Sequence, residues 1–91
     1  MTETHDKVRG IFRQEFSTDS PEKCREIIEK LDCIQNRYQG NRVVRYVAVV
    51  GGVPVDIRSA PTRVVLISPS REALNSITQQ LQDIFSSREK Q

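Results

Sequence analysis

The chain has 91 residues, 29% of them charged, and a formal net charge of +2. This length fits one domain over residues 1–91 with a thin core, and the balanced charge argues against the strongly basic surface of a dedicated nucleic-acid-binding protein. Because no apolar run approaches the ~18 residues needed to cross a bilayer, and the N-terminus lacks the apolar core of a signal peptide, we expect a cytoplasmic protein with no membrane association.

The first predicted element is a short amphipathic helix over about residues 6–16. Its apolar residues recur at helical spacing, although Gly10 weakens the helix by about 1 kcal/mol relative to alanine. Residues 1–5 before it and residues 87–91 at the other end of the chain are expected to be flexible.

A second helix is predicted over about residues 21–37. Ser20 is a favourable N-cap, and Pro21 suits the first helical position, where no N–H is needed. Apolar residues share one face of this helix, namely Cys24, Ile27, Ile28, Leu31, Ile34 and Tyr38. Gly40 is predicted to be the left-handed residue that ends it.

Three strands and a last helix are predicted next. Residues 42–50 and 53–58 are β-branched or alternating, and Gly51–Gly52 between them is a hairpin signal, because glycine tolerates the positive φ of two-residue turns. Residues 63–68 form a third strand, and a Ser-Pro start introduces an amphipathic helix. The predicted fold is α+β, with two N-terminal helices, a three-stranded antiparallel meander and a C-terminal helix (α-α-β-β-β-α).

The two-residue turn predicts which side chains share a side of the sheet. On the side predicted to be core, Val50 faces Val53, Ala48 faces Val55 and Tyr46 faces Ile57. On the other side, Val49 faces Pro54, Val47 faces Asp56 and Arg45 faces Arg58.

The third strand extends this second side if Arg58 faces Arg63 across the turn. The candidate partner- or anion-binding residues are then a basic end and an apolar patch, namely Arg45, Arg58 and Arg63 with Val47, Val49, Val65 and Ile67. They would mark a contact surface if no helix covers them, and a covering helix is the alternative.

Two arginines directly opposite each other are destabilising by up to about 1 kcal/mol, so a counter-charge is expected. One hypothesis is internal, because Asp56 lies diagonal to the arginines and exposed ion pairs contribute roughly 0–1 kcal/mol. The other is an external anion, either the carboxylates of a partner or a phosphate backbone. The sequence leaves both hypotheses open.

No residues form a recognisable catalytic, metal or cofactor site. His5 is the only histidine and lies in the segment expected to be flexible, so no base is held in position for nucleophilic catalysis. Cys24 and Cys33 fall on opposite faces of the predicted second helix, which excludes a disulfide or a shared metal between them. Cys24 is predicted to lie in the core and Cys33 to be exposed. The neighbours of Cys33 are not expected to make its thiol more reactive, so a thiol function is the weakest hypothesis.

The sequence favours a small non-enzymatic protein–protein interaction module, serving as an adaptor, assembly factor or regulatory subunit. Self-association is expected, because the second helix carries an acidic ridge of Glu22, Glu26 and Glu29 that the basic sheet end of another copy could bind. The alternative is a nucleic-acid-binding domain that uses the arginine cluster on the sheet, whose affinity would fall steeply with salt.

Overall fold

The computed structural model describes residues 2–6 and 10–89, which form one antiparallel sheet and two helices. The elements in chain order are β1 (Thr2–Asp6), β2 (Ile11–Ser17), α1 (Pro21–Glu29), β3 (Ile34–Gln39), β4 (Val44–Val50), β5 (Val53–Ser59), β6 (Arg63–Ser68) and α2 (Arg71–Glu89). The six strands lie in the spatial order β1-β2-β6-β5-β4-β3. The α+β class and the C-terminal helix are confirmed, but the predicted pair of N-terminal helices and the three-stranded meander are wrong.

The segment predicted as the first helix forms strands instead. β2 pairs with β1 on one side and with β6 on the other, and its side chains alternate between the two sides of the sheet. Phe12, Gln14 and Phe16 face the helices, and Gln14 is only 4% exposed. Pairing with the buried strand β6 therefore outweighs the helical spacing of the apolar residues in this segment.

Residues 7–9 of that predicted helix lie outside the described residues, as do residues 1, 90 and 91. Residues 2–6 pair with β2, with His5 opposite Phe12, and α2 continues to Glu89. Flexibility of the two ends stays a prediction.

The second predicted helix ends eight residues early. It begins at Pro21 as predicted, but the N–H groups of Lys30 and Leu31 donate to carbonyls three residues back, at 3.1 and 3.0 Å, which tightens and closes the last turn. Residues 34–39 form β3 at the edge of the sheet, paired with β4.

Gly40 does not cap a helix, and its φ is not positive. It begins the turn between β3 and β4, where its N–H donates to the carbonyl oxygen of Val43 at 2.9 Å. A Cβ atom at this position would lie 2.6 Å from the same oxygen, so the close approach of the two strands requires glycine.

The core lies between the sheet and the two helices, which pack on the same side of it. Sheet residues in this core are Val44, Tyr46, Ala48, Val55, Ile57, Val64 and Leu66, and the helices add Cys24, Ile27, Ile28, Leu74, Ile77 and Leu81. A large aliphatic side chain buried in this way stabilises the fold by roughly 1.5–3 kcal/mol. Over the described residues, neither helix has an apolar stretch long enough to cross a bilayer.

The register of the β4–β5 hairpin agrees with the prediction at every pair from Val50 opposite Val53 to Arg45 opposite Arg58. Gly51 and Gly52 have φ values of 57° and 82°, as a two-residue turn of this kind requires. The turn therefore places Arg45 and Arg58 together on the side of the sheet that faces away from the helices.

Candidate functional site

The side of the sheet opposite the helices is uncovered, and we call it the open face. No helix in the described part of the chain lies over it. Two adjacent rows of facing residues cross five strands of the open face, from β2 to β3. They are Glu15, Val65, Arg58, Arg45 and Tyr38 in one row and Arg13, Ile67, Asp56, Val47 and Asn36 in the other. Val49 and Pro54 continue the open face toward the hairpin turn, and Arg63 lies on it at the start of β6.

Asp56 joins the two arginines that face each other. Its Oδ1 accepts a hydrogen bond from Arg45 Nε at 2.7 Å, and its Oδ2 accepts one from Arg58 Nε at 3.2 Å. The hydrogen bond to Asp56 raises the pKa of Arg45 above its ordinary value, and the guanidinium also lies over the ring of Tyr38, 5.7 Å from its centroid. We call this arrangement the Asp56 bridge, and it is the internal counter-charge that the sequence suggested as one of two possibilities.

Glu15 forms a second bridge at the other end of the open face. Its Oε2 lies 2.8 Å from Arg13 Nη2, and its Oε1 accepts a hydrogen bond from Arg63 Nη1 at 3.2 Å. In this Glu15 bridge, as in the Asp56 bridge, one carboxylate serves two guanidinium groups. The two bridges together hold four positive charges against two negative ones, which leaves an excess of two positive charges among the side chains that the structure describes on the open face.

The apolar residues expected at the site lie on the open face with different exposures. Val49 is 37% exposed, and Val47 and Ile67 are half-buried. Val65 is only 8% exposed and lines a cavity together with Arg13, Arg58 and Arg63.

Arg63 does not face Arg58, so that predicted pairing is wrong. The N–H of Ala60 donates to the carbonyl oxygen of Arg63 at 2.9 Å, which makes Pro61 and Thr62 a two-residue turn. Proline suits the first central position of such a turn because its ring fixes φ. Val65 therefore faces Arg58 and Ile67 faces Asp56, and Arg63 is held by Glu15 instead of lying beside Arg58.

Sequence reasoning missed Arg13, Glu15 and Tyr38, because it placed all three on helices. The signal for Arg13 and Glu15 is the alternation of charged residues with Phe12, Gln14 and Phe16 in "FRQEF", which has the period of a strand. No comparable alternation marks Tyr38, whose position follows from the pairing of β3 with β4.

The cysteines are both free, and only Cys24 lies where it was predicted, in the core. Cys33 is in the turn between α1 and β3 and is half-buried, so its predicted exposed position on a helix is wrong. Burial raises the pKa of the Cys33 thiol, which lowers the fraction of reactive thiolate at neutral pH.

The predicted acidic ridge of α1 is partly engaged inside the molecule. Tyr46 is fully buried, and its hydroxyl donates to Glu29 Oε2 at 3.0 Å. Arg37 lies 3.7 Å from the other oxygen of Glu29. Lys23 and Lys30 are exposed on or next to the same helix, so α1 presents charges of both signs.

The open face offers recognition chemistry, since guanidinium groups beside apolar side chains suit a ligand that is both anionic and apolar. Within the described residues, no group of three or more histidine, cysteine, aspartate or glutamate side chains could hold a metal ion. No protein-family model, no curated protein and no solved structure matches this chain.

Proposed function

We propose that the chain is a small non-enzymatic protein–protein interaction module that binds its partner through the open face. The observation that supports this most is the uncovered sheet surface, over the described residues, that combines exposed apolar side chains with an excess of two guanidinium charges. Arginine is enriched at protein interfaces, and an apolar surface patch with a polar rim marks a contact site. Such a module serves as an adaptor, assembly factor or regulatory subunit, and its cytoplasmic location stays a prediction.

The charge of the open face favours an acidic and apolar partner over a second copy of the chain. Two open faces in contact would set the same excess of positive charge against itself, and like charges across an interface cost several kcal/mol. The surface of α1 is a poor match as well, because Lys23 and Lys30 are exposed near its glutamates. The predicted self-association therefore requires a surface other than the open face.

Nucleic-acid binding through the arginines is the second hypothesis, and the geometry favours it less. Sheets that bind single strands stack the bases on aromatic side chains. Among the described residues, Tyr38 is the one aromatic side chain on the open face, and its ring already lies under Arg45.

Affinity capture from native cell extract tests the proposal when the unmodified protein is compared with open-face variants. Val49→Glu places a negative charge in an exposed apolar part of the open face, and Arg45→Glu reverses a charge of the Asp56 bridge. We expect each variant to capture about tenfold less of the partner, as for a hot-spot residue. Nuclease treatment of the extract should leave capture unchanged.

Lys23→Glu is the matched control, because it makes the same charge change as Arg45→Glu at an exposed position of α1. It should capture as much partner as the unmodified protein. The proposal fails if the open-face variants capture normally or if the control loses as much as they do. Loss of capture after nuclease treatment would favour nucleic acid, and light scattering after size-exclusion chromatography measures self-association separately.

A further inference from the structure

A cavity of about 230 Å³ opens on the open face between the Glu15 bridge and the Asp56 bridge. Three of the residues that line it are arginines, Arg13, Arg58 and Arg63. Its apolar lining consists of Val43, Ala60, Val65 and Ile67. No acidic side chain is among the described residues that line it, so the lining combines basic and apolar side chains.

The three guanidinium groups are held in place but retain donors for a ligand. Arg13 and Arg63 each contact Glu15 through one terminal nitrogen, and Arg58 contacts Asp56 through Nε. An arginine side chain has five N–H donors. At least one terminal nitrogen of each group is therefore available in the described structure, and the two carboxylates fix where those nitrogens lie.

Volume and lining select the kind of ligand. Pockets for drug-sized ligands occupy about 300–1,000 Å³, so this cavity of about 230 Å³ accepts one small group. Arginine side chains bind carboxylates and phosphate groups alike. Four of the described lining residues are apolar, and a phosphate group would leave them without contacts, so the lining favours a carboxylate attached to an apolar group.

We propose that this cavity binds a carboxylate attached to a compact aliphatic group, presented by an acidic and apolar segment of a protein partner. The carboxylate accepts hydrogen bonds from Arg13, Arg58 and Arg63, while the aliphatic group lies on Val65 and Ile67. This inference rests on the proposed function and names the chemistry that the open face recognises.

Titration of the ¹⁵N-labelled protein with isovalerate, followed by NMR, tests the proposal directly. Isovalerate should shift the guanidinium Nε–H signals of the three arginines and the backbone amide signals of Val65 and Ile67. The neutral probe isovaleramide should bind about tenfold more weakly or more, because charge-assisted hydrogen bonds are about twice as strong as neutral ones. Inorganic phosphate should also bind more weakly than isovalerate.

Three variants separate the contributions of charge and of the apolar lining. Arg58→Gln should weaken isovalerate binding about tenfold, and Val65→Thr, which keeps the shape of the side chain, should weaken isovalerate but not phosphate. Arg25→Gln on α1 is the charge-matched control and should bind isovalerate normally. Each variant is first checked for an unchanged pattern of amide signals outside the cavity.

The proposal is overturned if isovalerate shifts no signals at the cavity, if isovaleramide binds equally well, or if phosphate binds more tightly. If partner capture depends on the open face while isovalerate does not bind, only this inference fails. If capture is independent of the open face, the proposed function fails, whatever isovalerate does.

Discussion

Arg45 lies directly opposite Arg58 on neighbouring strands, and the carboxylate of Asp56 hydrogen-bonds to both of them. Like charges at facing positions of a sheet destabilise it, and a one-residue slip to separate them would turn the core residues of the hairpin outward. The register therefore forces the two arginines together, and Asp56 is the counter-charge that makes the arrangement tolerable.

Replacing Asp56 should weaken the fold in a way that salt partly reverses. Asp56→Asn keeps the shape of the side chain but removes its charge, so the free energy of unfolding should fall by about 1 kcal/mol, the upper value for exposed ion pairs. In this variant nothing compensates the repulsion between Arg45 and Arg58, so added salt should restore part of the lost stability. Salt acts by screening the two charges, since the screening length falls from about 10 Å at 0.1 M to about 3 Å at 1 M. Urea denaturation at both salt concentrations measures the free energy of unfolding, and Asp32→Asn, at an exposed position, is the control. If the stability of the two variants depended equally on salt, the repulsion between Arg45 and Arg58 would not explain the loss.

Two buried serines on the helix-facing side of the sheet should respond in opposite ways to replacement by alanine. The hydroxyl of Ser68 donates to the carbonyl of Pro54 at 2.9 Å, whereas the hydroxyl of Ser59 has no partner among the described residues. Ser59→Ala should raise the free energy of unfolding by about 1 kcal/mol, because an unpaired buried hydroxyl is removed. Ser68→Ala should lower it by about 1–2 kcal/mol. Urea denaturation of the two variants decides, and a destabilised Ser59→Ala would show that its hydroxyl has a favourable contact.

The β4–β5 hairpin could be predicted from the sequence because one local signal determines it. Gly51–Gly52 selects a two-residue turn, and that turn fixes every facing pair back to Arg45 and Arg58. The pairing of β5 with β6 was harder to predict, since the four residues 59–62 between them permit more than one register. The hydrogen bond from Ala60 to Arg63 selects a pairing two residues away from the expected one.

The N-terminal half could not be predicted because its strands depend on partners far away in the chain. β2 is held by β6, about fifty residues later, and β3 lies at the edge of the sheet against β4. The helical spacing of apolar residues in 6–16 and 34–38 therefore favoured helices locally. Strand pairing with β6 and β4 outweighs this local preference. As a result, Arg13 and Glu15, two of the six charged residues in the two bridges, were not recognised.

The hydrogen bonds that Gln14 of β2 makes with two residues of α2 should contribute cooperatively to the stability of the fold. Gln14, which is buried, donates from Nε2 to Asn75 Oδ1 at 3.0 Å and accepts from the hydroxyl of Thr78 at 2.5 Å. Gln14→Leu should lower the free energy of unfolding by about 1–2 kcal/mol, because both hydrogen bonds are lost. Thr78→Val should cost less in the Gln14→Leu background than alone, by at least about 0.5 kcal/mol, which is the coupling of residues in one network. Urea denaturation of the four proteins gives this coupling, and strictly additive losses would mean that the two side chains act independently.

The protein should lose stability on the alkaline side, and Tyr46 should account for part of the loss. Burial raises the pKa of Tyr46 above 10.0 and that of the Cys33 thiol above 9.0. As the pH rises past these values, the unfolded chain releases protons that the native protein keeps, so the free energy of unfolding falls until the native groups titrate as well.

Tyr46→Phe removes one of the two titrating groups, so the free energy of unfolding should decline less steeply with rising pH. The same variant should be about 1 kcal/mol less stable at neutral pH, because the hydrogen bond to Glu29 is lost. Urea denaturation from about pH 8 to about pH 11 measures both effects. An equally steep decline in Tyr46→Phe would assign the alkaline loss to other groups.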